Sequence, residues 1–304
     1  MVVVIHITDI TLSLLDDMPH NVFALARFLE LLIQTEPDAI ELSEKMFHLL
    51  SPLPDYPGYV IRNGDDAINE IVLNDIRDIN AAASFKNNEK IRVRGLDGII
   101  TDDYLGIFAR LREFFSGEIE FCPTNRYHFA TALAAEWLMN GGKSVAVSFG
   151  GIGGFSGIGG FAATEEVIMI LKLAGLCKPE KTYSFFPEMA DLLNKITAKP
   201  VSRNKPILGE NIFHVESGIH VDGILKDPKC YEPFPPETVG LKRKIVIGKH
   251  SGTASIKAKL AELGIPCAQE KIPAVLEGVR AKGEEKRGAL NDREFEQVVR
   301  ECAA

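Results

Sequence analysis

Short apolar runs alternate with helical patterns over roughly the first 178 residues, and this alternation constrains the fold more than any other feature. Strands are predicted at residues 2–7, 39–42, 59–61, 91–94, 119–122 and 144–149. Helices are predicted at residues 22–33, 104–115, 128–139 and 163–174. A chain that repeats strand and helix in this way builds a mainly parallel sheet covered by helices. The length suits a closed (β/α) barrel, and a doubly wound sheet is the alternative.

The remainder of the chain follows a different pattern, which predicts further helices at residues 185–198, 254–263, 272–286 and 292–301. Residues 200–206, rich in Pro and cations, predict an extended connector. We therefore predict an α/β barrel in residues 1–180, a connector and lid subdomain in residues 181–264 and a helical C-terminal subdomain in residues 265–304.

Composition and charge narrow the possible functions. The chain has 304 residues, of which 46% are hydrophobic and 25% charged, so its length allows a large core. The net charge of -8 argues against nucleic acid and anionic membranes as partners. No apolar run reaches membrane-spanning length, and the first residues predict a buried strand instead of a signal peptide. Five scattered Cys without a Cys-x-x-Cys pair fit a reducing compartment, so we expect a cytoplasmic protein.

A polar segment at residues 209–226 is the first candidate for a functional loop. It holds two His, two Glu, an Asp, a Ser, an Asn and a Lys, with Gly at 209, 218 and 223. Its apolar residues form no long periodic face, as is typical of a loop positioned by a scaffold. His220 follows Gly218 in a Ser-Gly-Ile-His motif, and histidine can exchange a proton near neutral pH. Judged by residue types alone, a histidine that only hydrogen-bonds at a helix start is the commoner case.

Residues 209–223 resemble a signature segment of the 2-isopropylmalate synthase and homocitrate synthase family. Further family motifs follow in register, from about residue 185 to about residue 264: Tyr231-Glu232-Pro233-Phe234, Pro236-Glu237-Thr238-Val239-Gly240 and Ile247-Gly248-Lys249-His250-Ser251-Gly252. In that family a histidine of the Ser-Gly-Ile-His motif lies in a lid domain after the barrel, reaches over the barrel of the other subunit and helps to deprotonate acetyl-CoA. The resemblance assigns this catalytic role to His220. One departure is local: Val215 stands where relatives often have His, and His214 is one position earlier.

Three polar neighbours of His220 are candidates for substrate binding. Glu216, Ser217 and Asp222 could contact substrate or orient the imidazole, and capping a turn is the alternative. The cationic run at residues 242–244 could meet the phosphates of CoA, although a solvated turn is the commoner explanation.

The family's metal site is the next test of the resemblance. In the family a divalent metal polarises the carbonyl of a 2-oxo acid, and an adjacent Arg stabilises negative charge. The ligands are an Asp after the first strand, a His-x-His pair and an Asn in a Gly-rich turn. Here the flanking motifs survive, while the Arg and the ligands are replaced by Ser13, Leu14, Cys122, Thr124 and Phe161. We therefore expect a degenerate (β/α)8 TIM-type barrel that binds no metal or other cofactor, followed by a small α+β/helical C-terminal lid domain.

This pattern implies one subunit of a synthase encoded by two genes, similar to the omega subunit of the split homocitrate synthase of nitrogen-fixing bacteria. Its expected partner is an alpha-type subunit that carries the intact metal barrel. The two would condense acetyl-CoA with 2-oxoglutarate in a shared site, and this chain would lend the lid and His220. The alternatives are a non-catalytic regulatory or assembly partner, a subunit of a 2-isopropylmalate or citramalate synthase, and a self-sufficient acyltransferase that uses another site.

Two further features allow a functional and a structural interpretation. The Gly-rich stretch at residues 150–160 could cradle a phosphate, but it lacks a P-loop ending, and we favour close backbone packing or a subunit contact. Cys122 could be a nucleophile, but no partner histidine is placed beside it by the sequence, and we favour a buried thiol.

Overall fold

The chain forms two compact units in its computed structural model, which describes residues 4–16, 18, 21–64, 67–153, 159–176 and 180–303. Unit 1 comprises Met1–Lys181 and Phe185–Leu208. Unit 2 comprises Thr182–Ser184 and Gly209–Ala304. The predicted division into three parts at residues 180 and 264 stays a prediction.

Unit 1 is built on a seven-stranded sheet in which every described pair of neighbouring strands is parallel. The strands are β1 (His6–Asp9), β2 (Ala39–Leu42), β3 (Gly58–Ile61), β4 (Asn69–Leu73), β5 (Lys90–Gly95), β6 (Glu118–Pro123) and β7 (Ser144–Val147). Their order is β3-β2-β1-β7-β6-β5-β4, which is the cyclic order of a (β/α) barrel opened between β3 and β4.

The predicted α/β class and its TIM-type strand order are therefore confirmed, and the barrel is an incomplete one. Strand β7 pairs directly with β1, so an eighth strand between them has no counterpart in the described residues. Part of the predicted first strand, at residues 2–3, lies outside the described residues. Strand β4 was not predicted, and among the described strands it pairs with β5 alone, at one edge of the sheet.

Helices cover the sheet of unit 1. They are α1 (Val22–Gln34), α2 (Glu44–Leu50), α3 (Tyr104–Phe114), α4 (Ala130–Met139), α5 (Thr164–Leu173) and α6 (Phe186–Thr197). Local sequence sets their ends: the side chain of Asn21 accepts the N–H of Ala24 at the start of α1. One apolar core lies between β4–β7 and helices α3, α4 and α5, where the rings of Phe108, Phe121 and Trp137 meet at 5.2–5.6 Å between centroids.

Unit 2 combines a two-stranded parallel sheet with four helices. The strands are β8 (His214–Val215) and β9 (Lys244–Ile245), and the helices are α7 (Gly218–Lys226), α8 (Thr253–Leu263), α9 (Ile272–Lys286) and α10 (Asp292–Ala303). Helices α8, α9 and α10 share one apolar core that includes Ile256, Val275 and Phe295. Strand β8 and most of α7 lie in the signature segment, and α7 packs against α8.

Candidate functional site

The signature segment folds as a strand, a tight turn and a helix. Ser217 has extended backbone angles and precedes α7, and its carbonyl accepts the N–H of Val221. Gly218 packs directly on Gly252, because a Cβ built on Gly218 would lie 2.5 Å from the Gly252 Cα. Two family motifs that are far apart in sequence are therefore in backbone contact, and both positions exclude a side chain.

A pocket of about 270 Å³ opens beside the start of α7. Its wall combines ionisable groups with an apolar lining: Ile212, Phe213, His214, Val215, Glu216, His220, Ile224, Tyr231, Glu232 and Pro233. The ring of His220 lies 4.9 Å from the ring of Tyr231, at a tilt of 49°. Gly223 permits this approach, since a Cβ there would lie 2.3 Å from the Tyr231 ring. His220 is exposed, so its imidazole is accessible to a ligand.

Glu216 also lines the pocket and is fixed by the neighbouring motif. Its Oε1 accepts the backbone N–H of His250 at 2.9 Å, and its carbonyl accepts the hydroxyl of Ser255 at 3.0 Å. A Cβ at Gly248 would lie 2.6 Å from the same Oε1, so the glycine leaves room for the carboxylate. The structure thus places Glu216 in the pocket with His220 and gives it a structural contact as well.

Ser217 and Asp222, the other two predicted binding residues, lie elsewhere. Asp222 is exposed on α7 and forms an ion pair with Lys226, with 2.7 Å between Oδ2 and Nζ. The side chain of Ser217 makes no capping hydrogen bond to α7. Neither residue lines the pocket as it is formed by the described part of unit 2. Their proposed contacts with substrate stay predictions.

Sequence reasoning assigned no role to several residues of this pocket. His214 projects from β8, and burial together with Lys244 lowers the pKa of its imidazole. Glu232 is buried and accepts two hydrogen bonds from Arg243, from Nε and Nη2, each at 2.6 Å. The signal was present in the Tyr231-Glu232-Pro233 motif, which was recognised as a family feature but not connected to His220.

Three of the residues predicted to stand at the places of the family's metal ligands meet in unit 1. Leu14, Cys122 and Phe161 form one apolar cluster with Ile10 and Ala146, although they come from three distant stretches of the chain. Cys122 and Ala146 are the next-to-last residues of β6 and β7, and Ile10 directly follows β1, so the cluster lies at the carboxyl ends of these strands, where a barrel carries its site. Cys122 is buried, as predicted, and burial raises the pKa of its thiol to about 12.

The polar neighbours of this cluster are engaged by the protein. Thr124 donates a hydrogen bond to Asp97 and forms an isolated antiparallel bridge with Phe161. Ser13, at the predicted place of the family's Arg, donates a hydrogen bond to Glu41 at 2.7 Å. A hard cation needs several oxygen or imidazole ligands, and these residues do not fit one. Across the described ranges no group of three or more His, Cys, Asp or Glu is arranged to hold a metal ion.

The Gly-rich stretch shows the close backbone approach that we favoured for it, as far as it is described. A Cβ on Gly153 would lie 2.7 Å from the Gly160 backbone, and Gly150 donates its N–H to Glu165 at 2.8 Å. Burial raises the pKa of Glu165 to about 7, although Lys205 lies 3.2 Å away. Residues 154–158, the centre of the stretch, lie outside the described residues.

No helix in the described part of the chain is long and apolar enough to cross a membrane.

Comparison with known proteins shows which families of enzymes the chain is similar to. Residues 207–287 match the family model described as "Homocitrate synthase post-HMGL domain-like". The omega subunit of homocitrate synthase from Clostridium pasteurianum is 38% identical over 183 residues, which cover 60% of this chain and 50% of that protein. The homocitrate synthase AksA of Methanothermobacter thermautotrophicus is 34% identical over 213 residues, covering 70% and 54%.

A third relative, 2-isopropylmalate synthase 2 of Caldanaerobacter subterraneus, is 40% identical over 178 residues, covering 59% of this chain and 46% of that protein. A solved HMG-CoA lyase from Bacillus subtilis is only 14% identical, with a TM-score of 0.43, and covers 66% of this chain and 97% of its own. The predicted resemblance is confirmed: the chain is a relative of homocitrate synthases and 2-isopropylmalate synthases. It spans about half the length of the curated relatives it matches.

Proposed function

We propose that this chain is a subunit of a heteromeric homocitrate synthase, an acyltransferase in which it lends its lid and His220 to a metal-binding partner barrel. The observation that carries the proposal is a contrast between the two units. Unit 2 keeps the family's signature segment folded around a pocket with an accessible imidazole. Unit 1 holds an apolar cluster of residues that we predict to stand at the family's metal site.

The different roles of this chain and its partner subunit follow from these two observations. A barrel filled by Leu14, Cys122 and Phe161 offers no ligands to polarise the carbonyl of a 2-oxo acid. A partner barrel must therefore supply the metal and bind 2-oxoglutarate. His220 would take a proton from the methyl carbon of acetyl-CoA, and Tyr231 would hold the imidazole through its ring contact. The name of the Clostridium relative, an omega subunit, supports an assembly of unlike subunits.

The decisive experiment measures thiol release from acetyl-CoA with 2-oxoglutarate and a divalent metal. This chain is tested alone, then with a metal-binding homocitrate synthase subunit. We expect activity only in the mixture, and we expect His220→Ala to lower it by about 10²–10⁴-fold, the usual contribution of a general base. His48→Ala is the matched control, because His48 is an exposed histidine on α2 in unit 1.

Other outcomes would select the alternatives. Activity of this chain alone would contradict the interpretation of the apolar cluster as a lost metal site. Full activity of the partner alone, unaffected by His220→Ala, would indicate a regulatory or assembly role. Relatives named as 2-isopropylmalate and citramalate synthases make other 2-oxo acids the second candidate substrates. Parallel assays with 2-oxoisovalerate and pyruvate separate them from 2-oxoglutarate.

A further inference from the structure

His214 and His220 face one pocket from two different elements. His214 comes from strand β8 and His220 from the first turn of α7, and both line the same cavity of about 270 Å³. We propose that His214 donates a hydrogen bond to the thioester oxygen of acetyl-CoA while His220 takes the proton from the adjacent carbon. This inference rests on the proposed function, and it makes His214 a second catalytic residue of the same site.

The chain fixes the two imidazoles relative to each other. Only two residues, Glu216 and Ser217, separate β8 from α7, and the side chain of Glu216 accepts the backbone N–H of His250. The close contact of Gly218 with Gly252 holds the start of the helix against the neighbouring motif. Strand β8 is in turn paired in register with β9, so that His214 lies opposite Lys244. Such anchoring gives the preorganisation that a hydrogen bond to a developing charge requires.

The surroundings of His214, both its burial and a nearby charge, favour the neutral form of its imidazole. Burial is the largest cause of its lowered pKa, and Lys244 on the paired strand acts in the same direction. Glu210 acts in the opposite direction. Of the two carboxylates in the pocket wall, Glu232 is paired with Arg243 and Glu216 accepts a backbone N–H. A neutral imidazole keeps one N–H donor and stabilises an oxyanion without giving up its proton.

The chemistry balances with these two groups alone. The C–H bond of the acetyl methyl group breaks, and its proton moves to the imidazole of His220. The electron pair forms a carbon–carbon double bond, and the π pair of the thioester carbonyl moves to its oxygen. That oxygen then accepts the N–H of His214. When the carbon attacks the 2-oxo acid the charge leaves the thioester oxygen, so the hydrogen bond is strongest between these events.

The position of the histidine in β8 differs between this chain and many relatives. Position 215, where relatives often carry a histidine, is Val215 here, and the imidazole stands one residue earlier. Both positions line the pocket, so in this chain the imidazole enters the pocket wall from position 214 and Val215 adds an apolar side chain to it.

The test compares two substitutions in the mixture with the metal-binding subunit. His214→Phe keeps a ring without an N–H donor, and His214→Gln keeps a donor without the ring. We expect the phenylalanine variant to lower kcat by about 10²–10³-fold, as loss of an oxyanion donor does, with a smaller change in KM. The glutamine variant should recover at least a tenth of the wild-type rate. Exchange of the acetyl-CoA methyl protons in D₂O, without 2-oxo acid, should fall in parallel.

Controls separate this inference from the proposed function. His48→Phe is the matched histidine outside unit 2, and it should leave both readouts unchanged. Size-exclusion chromatography checks assembly, and if the phenylalanine variant fails to assemble, the rate of the glutamine variant decides. An active wild-type mixture that tolerates both substitutions, or a glutamine variant as slow as the phenylalanine one, would overturn the role of His214 alone. An inactive wild-type mixture would overturn the proposed function and this role with it.

Discussion

Gly218 and Gly252 are in direct backbone contact: a Cβ on Gly218 would lie 2.5 Å from the Gly252 Cα, and one on Gly252 would lie 2.8 Å from the Gly218 Cα. The first belongs to the motif that carries His220, and the second closes the motif that carries His250. Both glycines therefore serve a packing requirement that neither motif reveals by itself. This contact sets the position of α7, and with it the position of the candidate catalytic imidazole.

Replacing Gly218 by Ala should destabilise unit 2. In a helix this substitution is normally favourable by up to about 1 kcal/mol. Here the added methyl group meets backbone that must move, and overpacking of this kind costs about 1–3 kcal/mol. Thermal unfolding should therefore show a lower midpoint for Gly218→Ala than for the wild-type protein. Gly288→Ala is the control, since the nearest atom to its Cβ would be 4.0 Å away. Equal midpoints for the two variants would mean that the contact is not restrictive.

The sequence predicted the regular elements well where apolar runs were continuous. The predicted strands at 39–42 and 119–122 correspond to β2 (Ala39–Leu42) and β6 (Glu118–Pro123). Strand β4 escaped prediction because it lies at the sheet edge and only Leu73 of it is buried, so its apolar pattern is weak. The opening between β3 and β4 is equally invisible in sequence, because strand pairing is a long-range property.

The residues of the candidate site also differ in whether the sequence could predict them. His220 and Glu216 were found through the family motif, because both belong to one continuous segment. Tyr231 returns to the His220 ring only because Gly223 leaves room for it, and no periodicity indicates that contact. The convergence of Leu14, Cys122 and Phe161 could be anticipated from the register of three flanking motifs, although the residues themselves resemble ordinary core.

The thiols of this chain should differ sharply in reactivity. Cys122 is fully buried and its pKa is raised to about 12, so almost none of it is thiolate at pH 8. Cys230 is exposed and directly precedes Tyr231 in the chain. In native protein treated with iodoacetamide, peptide mass spectrometry should find Cys230 alkylated early and Cys122 unmodified until the chain unfolds. Comparable labelling rates for the two thiols would contradict the buried cluster in unit 1.

The buried carboxyl of Asp9 should give unit 1 a measurable pH dependence. Its Oδ1 accepts the N–H of Thr11 at 2.8 Å and its Oδ2 accepts the hydroxyl of Thr164 at 2.6 Å, yet burial raises its pKa from 3.8 to about 6. Because the folded state holds the proton more tightly than the unfolded state, the contribution of this group to stability falls as pH rises from about 4 to about 6. The difference across that window is roughly 3 kcal/mol at most.

Asp9→Asn should remove this dependence. Asparagine can still accept the N–H of Thr11 with its oxygen and donate to the hydroxyl of Thr164, so the contacts survive without the charge. Urea unfolding followed between pH 4 and pH 7 should show the wild-type protein losing stability relative to the variant as pH rises. A constant difference between the two proteins across this window would show that Asp9 titrates near its ordinary pKa.

The Glu232–Arg243 pair in the pocket wall should stabilise unit 2. Glu232 is buried and receives both hydrogen bonds of its carboxylate from Arg243, while about a third of the arginine side chain remains exposed. Arg243→Met keeps the aliphatic stem but leaves a buried carboxylate without its cation, which should cost about 1–3 kcal/mol.

Lys242→Met is the control for that change, because it removes a neighbouring positive charge from an exposed side chain. Chemical denaturation should give a lower midpoint for Arg243→Met than for Lys242→Met, and the binding of acetyl-CoA by the mixed complex should weaken in the same order, since Glu232 shares the pocket wall with His220. If both variants unfold at one midpoint, solvent screens the pair and the wall of the pocket is held by its apolar residues instead.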